Sequence, residues 1–282
     1  MNDNGIRTLV DGLSFAEGPR WREGKLWFSD FYTHRVLTLD GRGQIEMIAE
    51  VPGRPSGLGW TPEGKLLVVS MADRRLLRLD GDGLSTVADL SHLASGPCND
   101  MVVDAAGSAY VGNFGFDRHQ GEAERTTSLA RVDPDGSSRA VADELLFPNG
   151  AAITPDGATL IVAETFANRL TAFSILANGG LSDRRTFAQF DDVFPDGICL
   201  DAEGAVWIAD PRGKRVLRVF DGGRVAETIS TGERGSYACM LGGDDRCTLY
   251  ICTNVDSGPG VAEARAGQID AVRVTVPGAG LP

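Results

Sequence analysis

Long apolar runs, basic clusters and paired cysteines are all scarce in this 282-residue chain, and each shortage removes a class of function. No stretch stays apolar for the roughly 20 residues that a membrane-spanning helix requires. Positive charge is in deficit, with 27 Lys and Arg against 39 Asp and Glu and a formal net charge of −12. A nucleic-acid or anionic membrane partner would need a basic face, so both are excluded. The five cysteines, Cys98, Cys199, Cys239, Cys247 and Cys252, are odd in number and show no C-x-x-C spacing. They read as reduced thiols of a cytosolic protein, not as a disulfide framework. The opening Met1-Asn2-Asp3-Asn4-Gly5 has neither the basic nor the apolar region of a secretion signal. A cytoplasmic protein follows, working as a monomer or weak homo-oligomer on a small molecule. The familiar catalytic signatures are missing as well: there is no G-x-S-x-G elbow, no H-E-x-x-H, no Walker A loop and no dinucleotide-binding glycine fingerprint.

Glycine, by contrast, is abundant at 36 residues, and much of it recurs in register. Phe147-Pro148-Asn149-Gly150 is followed by apolar alternation and an Asp156-Gly157 turn, and Phe194-Pro195-Asp196-Gly197 by the same pattern and Glu203-Gly204. Six segments can be superposed in this way, beginning near Glu17, Ser56, Asn99, Asn149, Asp196 and, more loosely, Cys239. Each is a short strand, a polar turn and a second strand rich in Leu, Val, Ile, Tyr or Trp. A third and often a fourth strand follow, as in Arg35–Asp40 with Ile45–Ala49. Four antiparallel strands repeating every roughly 40 to 50 residues form a propeller blade. The spacing predicts an all-β, six-bladed β-propeller occupying 1–282 as one domain, with little helix beyond a brief turn at Ser91–Ala94. Ile6–Val10 should close the last blade against the C-terminal strand near Gly267–Val274, removing two exposed edges.

First strands of blades line a propeller's central channel, so the equivalent positions Glu17, Ser56, Asn99, Asn149, Asp196 and Cys239 form a ring. Four of these six are carboxylates or amides, where an inner strand would ordinarily carry small apolar residues. Oxygens converging from separate blades suit a hard divalent cation, and two carboxylates in a narrow channel repel each other without one. The second strands return towards the same mouth and would bring Asp30, Ser70, Asn113, Glu164, Asp210 and Thr253 with them. The connection from Phe114 to Thr127, containing Phe116, Asp117, Arg118 and His119, is long enough to act as a lid. Asn99, Asn113, Phe116 and His119 are the candidates for touching substrate, and His34 could also reach the mouth.

Leu13-Ser14-Phe15-Ala16-Glu17-Gly18-Pro19, Asn99-Asp100, Phe147-Pro148-Asn149-Gly150 and Phe194-Pro195-Asp196-Gly197 together resemble the SMP-30/gluconolactonase family of six-bladed propellers over essentially the whole chain. The resemblance implies a lactonase in which Glu17, Asn149 and Asp196 bind one divalent metal: calcium, magnesium, manganese or zinc. It further implies that Asn99 completes the metal shell or holds substrate, and that Asp196 is the base towards water. Sugar-lactonase relatives carry an arginine two residues before the Asn-Asp pair, where this chain has Pro97. With Phe31, Phe114, Phe116, Phe147, Phe166 and Phe194 near the mouth, a lactone less polar than a sugar lactone is expected. A phosphotriesterase on the same metal site and a non-catalytic metal-binding propeller are the alternative readings.

Overall fold

The computed structural model describes residues 5–117, 120–258 and 260–280. Its strands form six four-stranded antiparallel sheets, the blades of a β-propeller. The inner strands are Ala16–Arg22, Pro55–Trp60, Cys98–Val103, Pro148–Ile153, Ile198–Leu200 and Gly235–Gly242, and each touches the next until the last meets the first. Second strands such as Leu66–Ser70, Ala109–Asn113 and Val206–Asp210 are buried along their whole length. They are sandwiched between neighbouring blades on both faces, which is why they read as unbroken apolar runs. Outer strands such as Ile45–Glu50 meet solvent and are mostly exposed.

Glycine does two separate jobs in this repeat. In the hairpins, Gly64, Gly107, Gly157 and Gly204 take φ of +83°, +87°, +71° and +78°, a left-handed conformation that costs glycine little. Their amides close the turns on the carbonyls of Thr61, Asp104, Thr154 and Asp201. The second set follows the channel residues directly. A Cβ added to Gly150 would lie 2.6 Å from the Asp196 carbonyl oxygen, one on Gly57 2.4 Å from the Met101 nitrogen, and one on Gly18 2.7 Å from the Ser56 carbonyl oxygen. The missing side chains let adjacent inner strands approach backbone to backbone.

Closure follows the expected route. Arg7–Leu13 pairs with Gly267–Arg273 and becomes the outermost strand of the sixth blade. Asp270 joins both ends, accepting one hydrogen bond from Thr8 Oγ1 and another from Thr253 Oγ1, each at 2.7 Å. One apolar cluster then runs through the seam, including Leu26 and Phe28 of the first blade, Trp207 of the fifth and Ile251 of the sixth.

The structure departs from the sequence reading in two places. In the sixth blade Ser236 pairs with Thr253, and Gly197 of the fifth blade abuts Ala238. The channel position there is Tyr237, not Cys239; the sixth hairpin has lost the glycine that sets the register in the other blades. A short helix, Val261–Ala264, follows the strand Thr248–Asn254. Its four residues are too few for a helical period to show in the sequence. Among the described residues no helix is long and apolar enough to cross a membrane.

Replacing Gly150 with Ala must move two strand backbones, so a loss of about 1–3 kcal/mol is expected from overpacking. Chemical denaturation checks this, with Gly157→Ala, whose added Cβ meets nothing within 4 Å, isolating the separate cost of a left-handed φ.

Candidate metal centre

Two positions before each channel residue stands a residue at or just ahead of the start of its inner strand. Glu17, Asn99, Asn149, Asp196 and Tyr237 line a cavity of about 660 Å³ at one end of the channel. Phe15, Arg54, Pro97, Phe147, Phe194 and Gly235, each two residues before a channel position, line it too. Ser56 is the remaining channel residue and stands behind Asn99, donating to its Oδ1 at 3.3 Å. A second cavity of about 390 Å³ opens at the other end of the channel. Arg20 lines it and reaches from the first blade to Asp100 of the third at 2.8 Å, both side chains being buried. Asp100 occupies the step that is glycine in the first, second, fourth and fifth blades, which leaves room for this cross-channel pair.

The neutral arc of the ring is a one-way chain of hydrogen bonds. Ser56 donates to Asn99, Asn99 Nδ2 donates to Asn149 Oδ1 at 2.8 Å, and Asn149 Nδ2 donates to Thr165 Oγ1 at 3.1 Å. Thr165 spends its single hydroxyl proton on the Pro195 carbonyl at 2.8 Å. It can therefore only accept from Asn149, which fixes that amide with its oxygen turned towards Asn99. The oxygen keeps a second lone pair for another partner.

The charged part of the ring is built differently. Glu17 and Asp196 are both buried, and among the described residues Glu17 has no ion-pair partner; its Oε2 accepts only the Gly18 amide, at 3.2 Å. Burial, then the charges of Asp196 and Asp100, push the Glu17 carboxyl well above its ordinary range. Burial likewise raises Asp100, although Arg20 pulls against it. Burial and the nearby Asp196, Asp256 and Glu17 hold the Tyr237 phenol up at about 12, so it keeps its proton at neutral pH. Among the described residues no group of three or more His, Cys, Asp or Glu side chains is arranged to hold a metal ion by itself. The donor set is instead two carboxylates and amide oxygens, a hard all-oxygen set whose surplus negative charge fits a divalent cation.

Four expected site residues, Glu17, Asn99, Asn149 and Asp196, therefore meet in one cavity. Asn113 does not join them: its Nδ2 donates to the Ser128 carbonyl, and its Oδ1 accepts from the Gly115 amide and Thr127. Phe116 packs behind the wall against Phe147 and Phe166, at ring distances of 5.8 and 5.9 Å. His119 and Arg118 lie outside the described residues, while Phe114, Asp117 and Gln120 of the same connection line the cavity. His34 is absent from the cavity lining and sits 3.3 Å from the Val51 carbonyl.

The second-strand acids also turn away from the mouth. Asp30 accepts the Phe15 amide, Glu164 the Leu146 amide and Asp210 the Phe194 amide, and Arg169 and Arg215 pair with Glu164 and Asp210. They clamp the loops that carry the channel residues. Burial works against Glu164, but bonds from Arg169, Thr171 and Leu146 hold its carboxyl below the ordinary range. Sequence reasoning missed Tyr237, Arg54 and Arg212 and the cavity-lining residues Val255–Gly258. The first two stand at repeat-equivalent positions and were findable by correct register; the last two features come from loops with no repeat signal.

A model described as the SMP-30/Gluconolactonase/LRE-like region matches residues 15–255. The chain is 28% identical to a 6-deoxy-6-sulfogluconolactonase of Pseudomonas putida over 276 residues, covering 95% of this chain and 94% of the relative. It resembles the solved structure of a gluconolactonase of Xanthomonas campestris, XC5397, at 27% identity and a TM-score of 0.76, covering 96% and 89%. A luciferin-regenerating enzyme shares the fold at a TM-score of 0.83 and 18% identity, covering 97% and 96%.

Because Glu17 holds its proton more tightly folded than unfolded, it favours the folded state below the unfolded carboxylate range and loses that contribution as pH rises through its raised value. With divalent ions chelated, the stability of Glu17→Gln relative to the wild type should rise on going from acid to neutral pH. Each kcal/mol of that rise is worth roughly 2–4 °C in melting temperature. Parallel pH profiles for the two proteins would contradict the burial of an uncompensated charge.

Proposed function

The chain belongs to the SMP-30/gluconolactonase/LRE-like family, and from that membership we propose that it is a lactonase, opening a cyclic ester with one divalent metal held by Glu17, Asn149 and Asp196. The observation that carries this reading is the burial of two carboxylates and an oriented amide oxygen at equivalent positions of the repeat, around a cavity of small-molecule size. Such a set is compatible with calcium, magnesium, manganese or, with water in open positions, zinc.

When bound, a divalent ion supplies Lewis-acid stabilisation of the negative charge that develops on the lactone carbonyl oxygen. The chain's own groups do the rest. Asp196 takes a proton from the water whose oxygen attacks the carbonyl carbon, and returns a proton to the ring oxygen as the carbon–oxygen bond breaks, leaving a hydroxy acid. Thr165 keeps the Asn149 oxygen facing inward, and Asn99 is held by Ser56 and Asn149 to orient the substrate. Phe15, Phe31, Phe114, Phe147, Phe166 and Phe194 seat the ring and displace water. This aromatic wall, with Pro97 in it, supports a lactone with fewer hydroxyl groups than a sugar lactone.

Chelation followed by buffer exchange should abolish ring opening, and a divalent ion should restore it; full activity after verified metal removal would end the metal-dependent reading. Asp196→Asn should lower kcat by about 10²–10⁴, the range expected for losing a positioned base. A phenol-red assay of acid release measures it, and protein that still binds metal but no longer turns over separates a base from a scaffold residue.

A further inference from the structure

The cavity wall has a feature that ring opening alone does not use. At the six wall positions stand Phe15, Arg54, Pro97, Phe147, Phe194 and Gly235, so one blade supplies a cation where the others supply aromatic, cyclic or no side chains. Arg54 and Phe147 share the same local turn: both precede the proline of an inner strand and take left-handed φ, +69° and +57°. The Arg54 amide donates to the Val51 carbonyl and its own carbonyl accepts from Met71, so the turn is tied on both sides. The guanidinium lies over the Tyr32 ring, 5.5 Å from its centre, and among the described residues it has no carboxylate partner. Arginines elsewhere are commonly matched, including Arg20, Arg131, Arg169, Arg215 and Arg218.

The other basic residues of the cavity are placed differently. Lys214 is bonded to Glu233 at 2.7 Å; Arg212, like Arg54, is stacked on an aromatic ring, Phe194 at 3.8 Å, without a carboxylate partner among the described residues, but it belongs to the fifth blade, whose channel residue Asp196 carries the opposite charge. Arg54 rises from the second blade, whose channel residue Ser56 is neutral, so its charge is not matched by the ring residue beneath it. A guanidinium stacked on an aromatic ring keeps its planar fork of donors free for a carboxylate or similar oxyanion. In a protein of net charge −12, a cationic partner in the cavity wall offsets the general repulsion of an acidic ligand.

We propose that Arg54 is a specificity-determining residue that binds a negatively charged group on the substrate, so that the preferred lactone carries a carboxylate or comparable oxyanion outside its ring ester. This rests on the lactonase reading for the identity of the ring, while the recognition of the anion by Arg54 stands separately. The substrate is then an amphiphile, with an ester directed to the Glu17–Asn149–Asp196 floor, an apolar body against the phenylalanines and one anionic end at the second-blade wall.

The test compares a γ-lactone bearing a pendant carboxylate with its methyl ester, in the wild type, Arg54→Gln and Arg212→Gln. The wild type should favour the acid by about tenfold or more in kcat/KM, and Arg54→Gln should bring that ratio close to one, mainly through KM. No preference in the wild type, or a ratio that collapses in Arg212→Gln and survives in Arg54→Gln, overturns the assignment. The matching tetrahydrofuran carboxylate, which has no ester to open, is titrated by calorimetry in parallel. Tighter binding to the wild type than to Arg54→Gln upholds the anion site even if neither lactone turns over, in which case the lactonase reading alone fails. Equal binding to both proteins overturns the anion site whatever the turnover.

Discussion

The close approach of neighbouring inner strands sets the dimensions of everything else in this protein. Gly18, Gly57, Gly150 and Gly197 leave no room for a Cβ against the backbone of the next blade, and so draw the channel walls inward. A narrow channel places Glu17 and Asp196, residues of the first and fifth blades, close enough for each to raise the energy of the other's charge. The residue before each glycine is committed to facing the axis. The glycine is thus as much a part of the site as the channel residue that precedes it, although it touches nothing chemical. Where the glycine is replaced, at Asp100, the structure spends the space on an ion pair with Arg20 that spans the channel beneath the ring.

Polar residues near the mouth divide into two populations that composition cannot tell apart. Asp30, Glu164 and Asp210 lie at the ends of second strands, and their oxygens are taken up by loop amides, with arginines on Glu164 and Asp210. Glu17 accepts one local amide and faces its fellow carboxylates instead. The first population pins the loops, and the second is held at high energy by those pinned loops. A buried carboxylate that is unpaired is a cost to folding, tolerable only where the surrounding sheet over-determines its place. Six blades closed by Arg7–Leu13 supply that rigidity.

Much of this was legible in the order of residues. The hairpin glycines, the unbroken apolar second strands and the regular spacing identify six blades, because each blade solves the same packing problem with the same local chemistry. The repeat also carried Glu17, Asn99, Asn149 and Asp196 to one place. It failed in the sixth blade, where the turn glycine is gone and the reading landed on Cys239 in place of Tyr237. It failed again for Asn113, whose amide type suits a ligand but whose position at a second-strand end turns it into a loop fastener.

What the sequence determined by itself is the architecture and five of the six ring positions, since both follow from periodicity, and periodicity is local information repeated. What only the tertiary structure decided is which polar atoms remain available. The orientation of the Asn149 amide depends on a proton that Thr165 gives to Pro195, and the unmatched charge of Arg54 depends on which carboxylates lie within reach. Hydrogen-bond and ion-pair accounting is a property of neighbours in space, and in a propeller those neighbours come from different blades.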